Sequence, residues 1–423
     1  MPPAPRSARA AAARLLDDVT GEGRLLSEAL AKGTLDALAP PERARAQRLA
    51  LEALRGLERA DRLIARHTRK APPLPVRNVL RLAVAELAQG GCAHGVVSEA
   101  VAIVNASPRH KRLSGMVNAV LRKLADEAPR VWGDLRVPRL PDWLRAPLVA
   151  AWGKGAVAAM ERAHLAGAPL DLTVREDAGG WAAQLGGEVL PTGSVRLHEA
   201  GQVSALPGYD AGAWWVQDAG AALAARALAP QPGERVLDMC AAPGGKTLQL
   251  AAGGADVTAL DISERRMERV AGNLARTGLR ATCVTGDALT HEGRYDAVLL
   301  DAPCSATGTI RRHPDLPHAR DGAGIAELIA MQAAMLDHAL TLLEPGGRLV
   351  FCTCSLLPDE GECQVEDALA RHPGLVAERA ALGLPGIERD WITEEGGLRL
   401  RPDFWPDRGG IDGFYIACLR RAG

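Results

Sequence analysis

The sequence predicts two fold classes in one chain: an all-α domain first, then an α/β domain built on a mainly parallel, doubly wound sheet. Three observations predict this. Through residues 6–125 apolar residues recur three and four positions apart, the spacing of one helix face. From about residue 216 short apolar runs end in glycine turns and lead into helical stretches, the alternation that builds parallel sheets. The charge also divides. Residues 1–125 carry 21 Lys+Arg against 11 Asp+Glu, and the remainder carries 29 against 40. A basic front on an acidic remainder suggests one region that meets a polyanion, unless arginine merely solvates a helical surface.

Length and composition bound the rest. A chain of 423 residues has room for two or three domains. With 47% apolar and 24% charged residues it is ordinary for a globular protein, which excludes disorder, collagen and coiled coil as the main class. No apolar run reaches the roughly 18 residues that a membrane helix needs. Aromatics at 3% argue against a broad stacking platform for single-stranded nucleic acid. The start, Met1 to Arg9, is rich in Pro and Arg and has no continuous apolar segment of the secretory kind. The expected setting is cytosolic, with the eight cysteines reduced.

In the first half, Val76, Val79, Leu80, Ala83, Val84 and Leu87 form one helical stripe, with Pro75 at its entry, where a missing N–H costs nothing. Val97, Ala100, Val101 and Val104 repeat the pattern, as do Val117, Val120, Leu121 and Leu124. Between these last two helices lies a short basic loop, Ser107–Leu113. Pro129, Pro138, Pro141 and Pro147 then punctuate residues 126–147 and should break any long helix. The expected organisation is a helical domain over 1–128, a linker and small α+β subdomain over 129–215, and an α/β domain over 216–423. Leu170–Arg175 alternates as a strand, and further strands are expected at 235–239, 256–260, 281–285, 296–300, 348–352 and 414–419.

In such a sheet ligands bind at the carboxyl ends of the strands. The strand at 235–239 ends in Cys240, Ala241, Ala242, Pro243, Gly244, Gly245 and Lys246, a glycine turn that admits close approach of a ligand. The next strand ends at Asp261, where a carboxylate can accept from ribose hydroxyls. Asp287 follows the third strand and could meet an adenine edge. A P-loop fails, because Cys240 stands where its first glycine must be. The dinucleotide spacing Gly-x-Gly-x-x-Gly is also absent. S-adenosyl-L-methionine needs neither phosphate cradle, and its two requirements are both present. The plain alternative is a tight βα turn with a lysine at the helix start.

Two further strands end in cysteine: Asp301-Ala-Pro-Cys304 and Cys352-Thr-Cys354. This puts two thiols and Asp301 on the same rim as the glycine turn. A thiolate is a capable nucleophile near neutral pH. Cys304, Cys352, Cys354, Cys363 and His313 lack the Cys-x-x-Cys spacing of structural zinc, so no metal is expected. Cys92, Cys283, Cys352 and Cys418 read as small core residues. Cys240 reads as a turn or ligand-lining residue.

Asp238-Met-Cys-Ala-Ala-Pro-Gly-Gly-Lys-Thr247, Asp301-Ala-Pro-Cys-Ser-Ala-Thr-Gly308 and Thr353-Cys-Ser355 together resemble the RNA cytosine-C5 methyltransferases of the NOL1/NOP2/Sun family. Val216-Gln-Asp218 and Pro345-Gly-Gly347 add to the likeness, which covers roughly residues 200–423 with its motifs in family order. Leu113–Lys123 resembles a NusB-type RNA-binding domain, and Ile310–Asp315 extends the likeness to the bacterial 16S rRNA branch. The resemblance implies a Rossmann-like domain that uses S-adenosyl-L-methionine, held by residues 240–246, Asp261, Asp287 and Asp301. It implies Cys354 as nucleophile, Cys304 as the group that assists release of the methylated base, and Asp301 as the contact to the cytosine. Lys246 then supports Asp301 or contacts the cofactor, unless it is a solvated lysine at the helix start.

The implied chemistry suits these groups. Cytosine C5 is a poor carbon nucleophile. A thiolate that adds to C6 makes an enamine-like ring whose C5 can take a methyl group. If Asp301 acts as a proton donor, burial must raise its pKa. The expected partner is a structured RNA with an unpaired target, 16S rRNA before tRNA, bound by a monomer in the cytoplasm with no membrane and no metal. The basic helical domain would grip phosphates. Two other readings remain. One is an RNA-binding antitermination protein with an idle methyltransferase domain. The other is exocyclic amino methylation, whose Asn/Asp-Pro-Pro-aromatic signature is absent.

Overall fold

The computed structural model describes residues 7–421; the start at residues 1–6 lies outside the described residues. The chain divides into two compact units, Met1–Gly167 with Ile310–Gly322, and Ala168–Thr309 with Ala323–Gly423.

The first unit is helical: α1 Ala8–Glu22, α2 Leu26–Ala31, α3 Pro40–Arg55, α4 Leu57–His67, α5 Leu74–Ala88, α6 Ala93–Asn105, α7 Ser114–Val131 and α8 Asp142–Ala166. The Ser7 side chain caps α1 by accepting from the Ala10 N–H. The apolar stripes read from sequence are the core: Val76, Val79, Leu80, Ala83, Val84 and Leu87 of α5 are buried with Val117, Val120, Leu121 and Leu124 of α7. The prolines do not all act as breaks. Pro129 lies inside α7 and Pro147 inside α8. A proline inside a helix costs about 3 kcal/mol; Leu144 and Leu148, fully buried on either side of Pro147, offset it. The kink in α8 falls instead at Gly153, where φ is +80°. Cys92 is exposed, not a core residue.

The second unit opens with a four-stranded antiparallel sheet of β1 Leu170–Val174, β2 Glu188–Val189, β3 Val195–Leu197 and β4 Trp214–Val216, in the order β2-β3-β1-β4, with α9 Ala178–Leu185 beside it. After α10 (Ala219–Leu228) comes the α/β alternation: β5 Arg235–Met239, α11 Gly245–Ala252, β6 Asp256–Asp261, α12 Glu264–Thr277, β7 Thr282–Thr285 and β8 Tyr295–Asp301. The chain then contributes Ile310–Gly322, with α13 Leu316–Ala319, to the helical unit. It returns as α14 Ile325–Thr341, β9 Leu343–Thr353, α15 Glu362–Arg371, β10 Leu375–Ala377, β11 Leu398–Leu400 and β12 Phe414–Arg421.

The main sheet runs β10-β12-β9-β8-β5-β6-β7, with β11 also on β12. Pairs from β7 through β9 are parallel, and β12, β10 and β11 add an antiparallel edge. A sheet covered on both faces reads as a continuous apolar run. Ala297–Leu300 is such a run: Ala297 and Leu299 join one core with α10, and Val298 and Leu300 join the opposite core with α14. Cys283 on β7 is exposed, contrary to its core reading, whereas Cys352 and Cys418 are buried. Among the described residues no helix is long and apolar enough to cross a membrane.

Candidate active site

The register of the parallel strands aligns their carboxyl ends. Met239 sits opposite Leu260 and Leu300, Asp261 opposite Thr285, and Asp301 opposite Cys352. The turn 240–246, Asp261, Asp287, Asp301 and the cysteines beyond Cys352 therefore lie along one rim. β5 is flanked by β6 and β8, so the rim contains the switch in strand order where ligand crevices form.

Two residues of the turn after β5 take positive φ, and the Ala242–Pro243 bond is cis. Cys240 has φ +62° and Gly244 φ +103°, the left-handed region that favours glycine. Leu248 then donates to the Gly244 carbonyl to start α11. Asp261 is buried; its Oδ2 accepts from the Ala242 N–H at 3.3 Å and its Oδ1 from the Ser263 N–H at 3.0 Å. A carboxylate has about four acceptor sites, so capacity remains. Asp287 is exposed beyond β7, with Oδ1 accepting from the Leu289 N–H. Asp238 is fully buried at the foot of the turn. Thr247 donates to its Oδ2 at 2.5 Å, while Oδ1 has no partner. Burial pushes its pKa up to about 7, against the Thr247 hydrogen bond and the Lys246 charge.

Lys246 is not a solvated lysine. It is buried in the first turn of α11, and its Nζ donates to Asp301 Oδ2 at 2.7 Å. The same ammonium stands 5.3 Å from the centre of the Phe414 ring. Burial alone would lower its pKa; the charge and hydrogen bond of Asp301, with the nearby Cys352 and Asp238, together outweigh burial, and the ammonium titrates above the ordinary lysine range. On its other side Asp301 accepts from the Cys352 thiol at 3.5 Å. A cavity of about 450 Å³ opens beside this pair, lined by Trp215, Gln217, Gly245, Asn273 and Asp301 among others.

The two cysteines singled out by sequence meet: Cys304 Sγ lies 3.5 Å from Cys354 Sγ. The hydrogen bond with Cys354, then burial, then the charges of Cys354 and Glu360 hold the Cys304 thiol well above its ordinary pKa. Burial does the same for Cys352. Burial also raises Cys240 to about 12, which keeps it a thiol beside the turn. His313 belongs to the segment Ile310–Gly322 of the helical unit. Among the described residues no group of His, Cys, Asp and Glu could hold a metal ion.

Sequence reading missed Glu360. It is fully buried, and it accepts from Ser305, Ser355 and Gln332. Its only sequence signal is a carboxylate in the turn six residues after Cys354.

Residues 225–420 match the family model of 16S rRNA methyltransferase RsmB/F, and residues 6–126 match the NusB family. The chain pairs a NusB-family domain with an RsmB/F-family domain. Curated relatives include the ribosomal RNA small subunit methyltransferase B of Salmonella arizonae and that of Salmonella paratyphi B. Each is 44% identical over 234 residues, 53% of this chain and 51% of theirs. The chain thus spans about half the length of the curated relatives it matches. Among solved structures, PH0851 has a TM-score of 0.74 at 22% identity, covering 98% of this chain and 99% of its own. A methyltransferase homolog protein from Pyrococcus horikoshii has a TM-score of 0.55 at 27% identity, covering 66% and 94%. NSun6 from the same organism, solved with SFG, has 0.57 at 19%, covering 68% and 100%. The thiol pair and the Lys246–Asp301 pair both fall inside the RsmB/F-family domain.

Proposed function

We propose that the protein is an S-adenosyl-L-methionine-dependent RNA methyltransferase that forms 5-methylcytosine in 16S rRNA through a covalent bond from Cys354 to C6. The observation that carries this reading is the 3.5 Å approach of Cys304 and Cys354 beside the Lys246–Asp301 pair. The RsmB/F match and the names of the curated relatives support the rRNA substrate.

The donor set fits a sulfonium cofactor better than a phosphate. Asp238, Asp261 and Asp301 lie at the carboxyl ends of β5, β6 and β8, and Asp287 lies just past β7, four neighbouring strands that make an acidic rim favouring a cation and repelling a triphosphate. Residues 240–246 would approach the cofactor through backbone. Asp261 and Asp287 would accept from its hydroxyl and amino groups, and the unpartnered Asp238 Oδ1 adds an acceptor at the foot of the turn. When bound, the cofactor supplies the methyl group that an electron-rich C5 accepts.

This chain's own residues do the rest. Cys354 loses its proton to solvent and, as its thiolate, bonds through Sγ to C6, and the electron pair of the C5–C6 double bond moves toward C5 and the N3/N4 edge. Asp301, fixed by Lys246, hydrogen-bonds that edge where charge develops. Once Cys354 is bonded to C6, its hydrogen bond and charge no longer hold the Cys304 proton; Cys304 loses that proton to solvent and, as its thiolate, removes the C5 proton after methylation. The C5–H electrons re-form the double bond as Cys354 leaves. The target base must be unstacked to reach Cys354, which an unpaired rRNA loop allows cheaply. In the NusB-family domain, exposed Arg109, Lys111 and Arg112 would hold phosphates.

Cys354→Ala tests the proposal. Labelled methyl transfer to 16S rRNA should vanish while cofactor binding persists, and Cys304→Ala should accumulate a covalent RNA–protein complex on a denaturing gel. Full activity in Cys354→Ala would overturn the assignment. RNA binding by the wild-type protein with no methyl transfer would favour the binding-protein reading instead.

A further inference from the structure

We infer that Glu360 is a positioning residue: one buried carboxylate ties the residue after each thiol to a common anchor and so fixes the approach of Cys304 to Cys354. The functional weight of this inference rests on the two-thiol reading proposed above.

Glu360 sits in the turn between β9 and α15, and its side chain is fully buried. Its Oε1 accepts from the Ser305 N–H at 2.9 Å and from Gln332 Nε2 at 3.0 Å. Its Oε2 accepts from the Ser305 hydroxyl at 2.5 Å and the Ser355 hydroxyl at 2.6 Å. These four donors match the roughly four acceptor sites of an ionised carboxylate. Hydrogen bonds to a charged acceptor are about twice as strong as neutral ones. Ser305 follows Cys304 and Ser355 follows Cys354. The anchor is itself fixed, because Thr353 Oγ1 donates to the Glu360 carbonyl at 2.8 Å.

The donors come from three segments: the loop after β8, the end of β9 and helix α14. All are neutral. A buried carboxylate among neutral donors is expensive to desolvate, and a leucine of similar volume would pack there at less cost. The carboxylate adds two oxygens that are acceptors only, which can gather hydroxyls and an amide from two loops at once. Backbone bonds alone do not do this beside the thiols. The Ala302 N–H donates to the Cys352 carbonyl, two residues before each thiol, and the Gly308 N–H donates to the Cys354 carbonyl, but Gly308 lies four residues past Cys304. The tie at Ser305 is adjacent to the sulfur-bearing residue.

The geometry assigns a division of labour. Cys354 must reach C6 while Cys304 reaches the proton on the neighbouring carbon. Loss of the clamp lets the loops drift apart, and an offset of about 1 Å can cost about 100-fold in rate.

Two measurements on the full-length protein test this. The first needs no methyl transfer. Phenylarsine oxide takes up two close thiols, forming two As–S bonds and releasing one water, and binds far more weakly to a single thiol. Intact mass and titration should find one bridged adduct in the wild type and none in Cys304→Ser. Glu360→Ala should weaken the bridge at least about 10-fold, and Glu360→Gln, which keeps one oxygen acceptor, should lie between. The second is steady-state methylation: Glu360→Ala should lower kcat by about 100-fold with cofactor Kd unchanged, and Glu360→Gln should recover part of the loss. If Glu360→Ala does not fold, the pair Ser305→Ala and Ser355→Ala removes the hydroxyl ties and replaces it in both assays. Wild-type arsenical affinity in the clamp variants would overturn the inference. So would a weakened bridge with full kcat, or a loss of kcat that tracks loss of cofactor binding. A wild-type protein that bridges arsenic yet methylates nothing would sink the proposed function and leave the clamp standing.

Discussion

The helical unit and the carboxyl-end rim of the α/β sheet treat buried charge in different ways. In the helical unit several buried or half-buried arginines are matched to carboxylates. Arg81, itself buried, grips Asp61 with two hydrogen bonds, and Arg9 bridges Glu86 and Glu99. Hydrogen bonding to Glu86 holds the Arg9 pKa above its ordinary range. Such pairs fix how helices meet. Along the rim of the α/β unit, carboxylates crowd together with a single buried ammonium among them. Asp238 keeps an oxygen with no partner, and Asp301 shares one lysine with the surroundings of two thiols. Groups held away from their ordinary pKa by burial and by like charge collect where chemistry is done. The contrast separates charge used for cohesion from charge kept available to a ligand.

The sharpest way to break that contrast is to remove the rim's cation. Lys246→Met keeps the stem and deletes the charge, leaving the half-buried Asp301 without its charged donor. Methyl transfer should fall by about 100- to 1,000-fold, the cost of losing one preorganised electrostatic contact. The readout is single-turnover transfer at saturating RNA. A tenfold or smaller loss would mean that Lys246 serves the fold as Arg81 does.

A smaller effect is expected from the basic loop. Arg109, Lys111 and Arg112 are exposed between α6 and α7. Their replacement by Gln should weaken RNA binding about 10-fold and reduce the slope of log K against log salt by about two to three. The turnover rate at saturating RNA should not change. An unchanged salt slope would return this loop to the role of a solvated helical surface.

One group in the helical unit breaks its own pattern. His164 is buried with neither ring nitrogen partnered. Burial, and then the charge of Arg311, lower its pKa from 6.5 to about 3. Folded His164 therefore stays neutral while the unfolded chain takes up a proton near its ordinary value. The unfolded state binds more protons, so stability falls as pH drops through that window, by up to about 1.4 kcal/mol per pH unit. His164→Leu should flatten the acid limb of thermal stability between about pH 6 and 4 while leaving neutral-pH stability within about 1 kcal/mol. An acid limb as steep in the variant as in the wild type would place the sensitivity elsewhere.

Much of this was legible in the sequence, for local reasons. Strands such as 235–239 and 414–419 carry their own apolar runs, and the stripe from Val76 to Leu87 carries its own period. The site cysteines, Asp301 and Lys246 could be placed because parallel strands deliver their carboxyl ends to one rim. What stayed hidden depends on distant contacts. Ile310–Gly322 joins the helical unit through long-range bonds, among them the Leu26 N–H to Asp315. β9 begins at Leu343, ahead of the expected strand at 348–352, because Leu343 pairs with Tyr295 across the sheet; the ladder then breaks, with Gly346 at φ +75°, and resumes at Arg348 opposite Ala297. Cys92 is exposed in the turn just before α6, and Cys283 on β7, which pairs on one side only at the edge of the sheet. Glu360, in a Pro-Asp-Glu-Gly run, looks like surface until two loops fold over it.

The most direct test is chemical trapping on a 16S rRNA transcript made with 5-fluorocytosine. Fluorine at C5 cannot leave as a proton, so elimination stops and the bond to C6 persists. Digestion and mass spectrometry should find a methylated fluoropyrimidine nucleotide on the peptide that contains Cys354, and none in Cys354→Ala. A trapped nucleotide on Cys304, or turnover of unmodified RNA with no trapped species on the fluorinated transcript, would contradict the account.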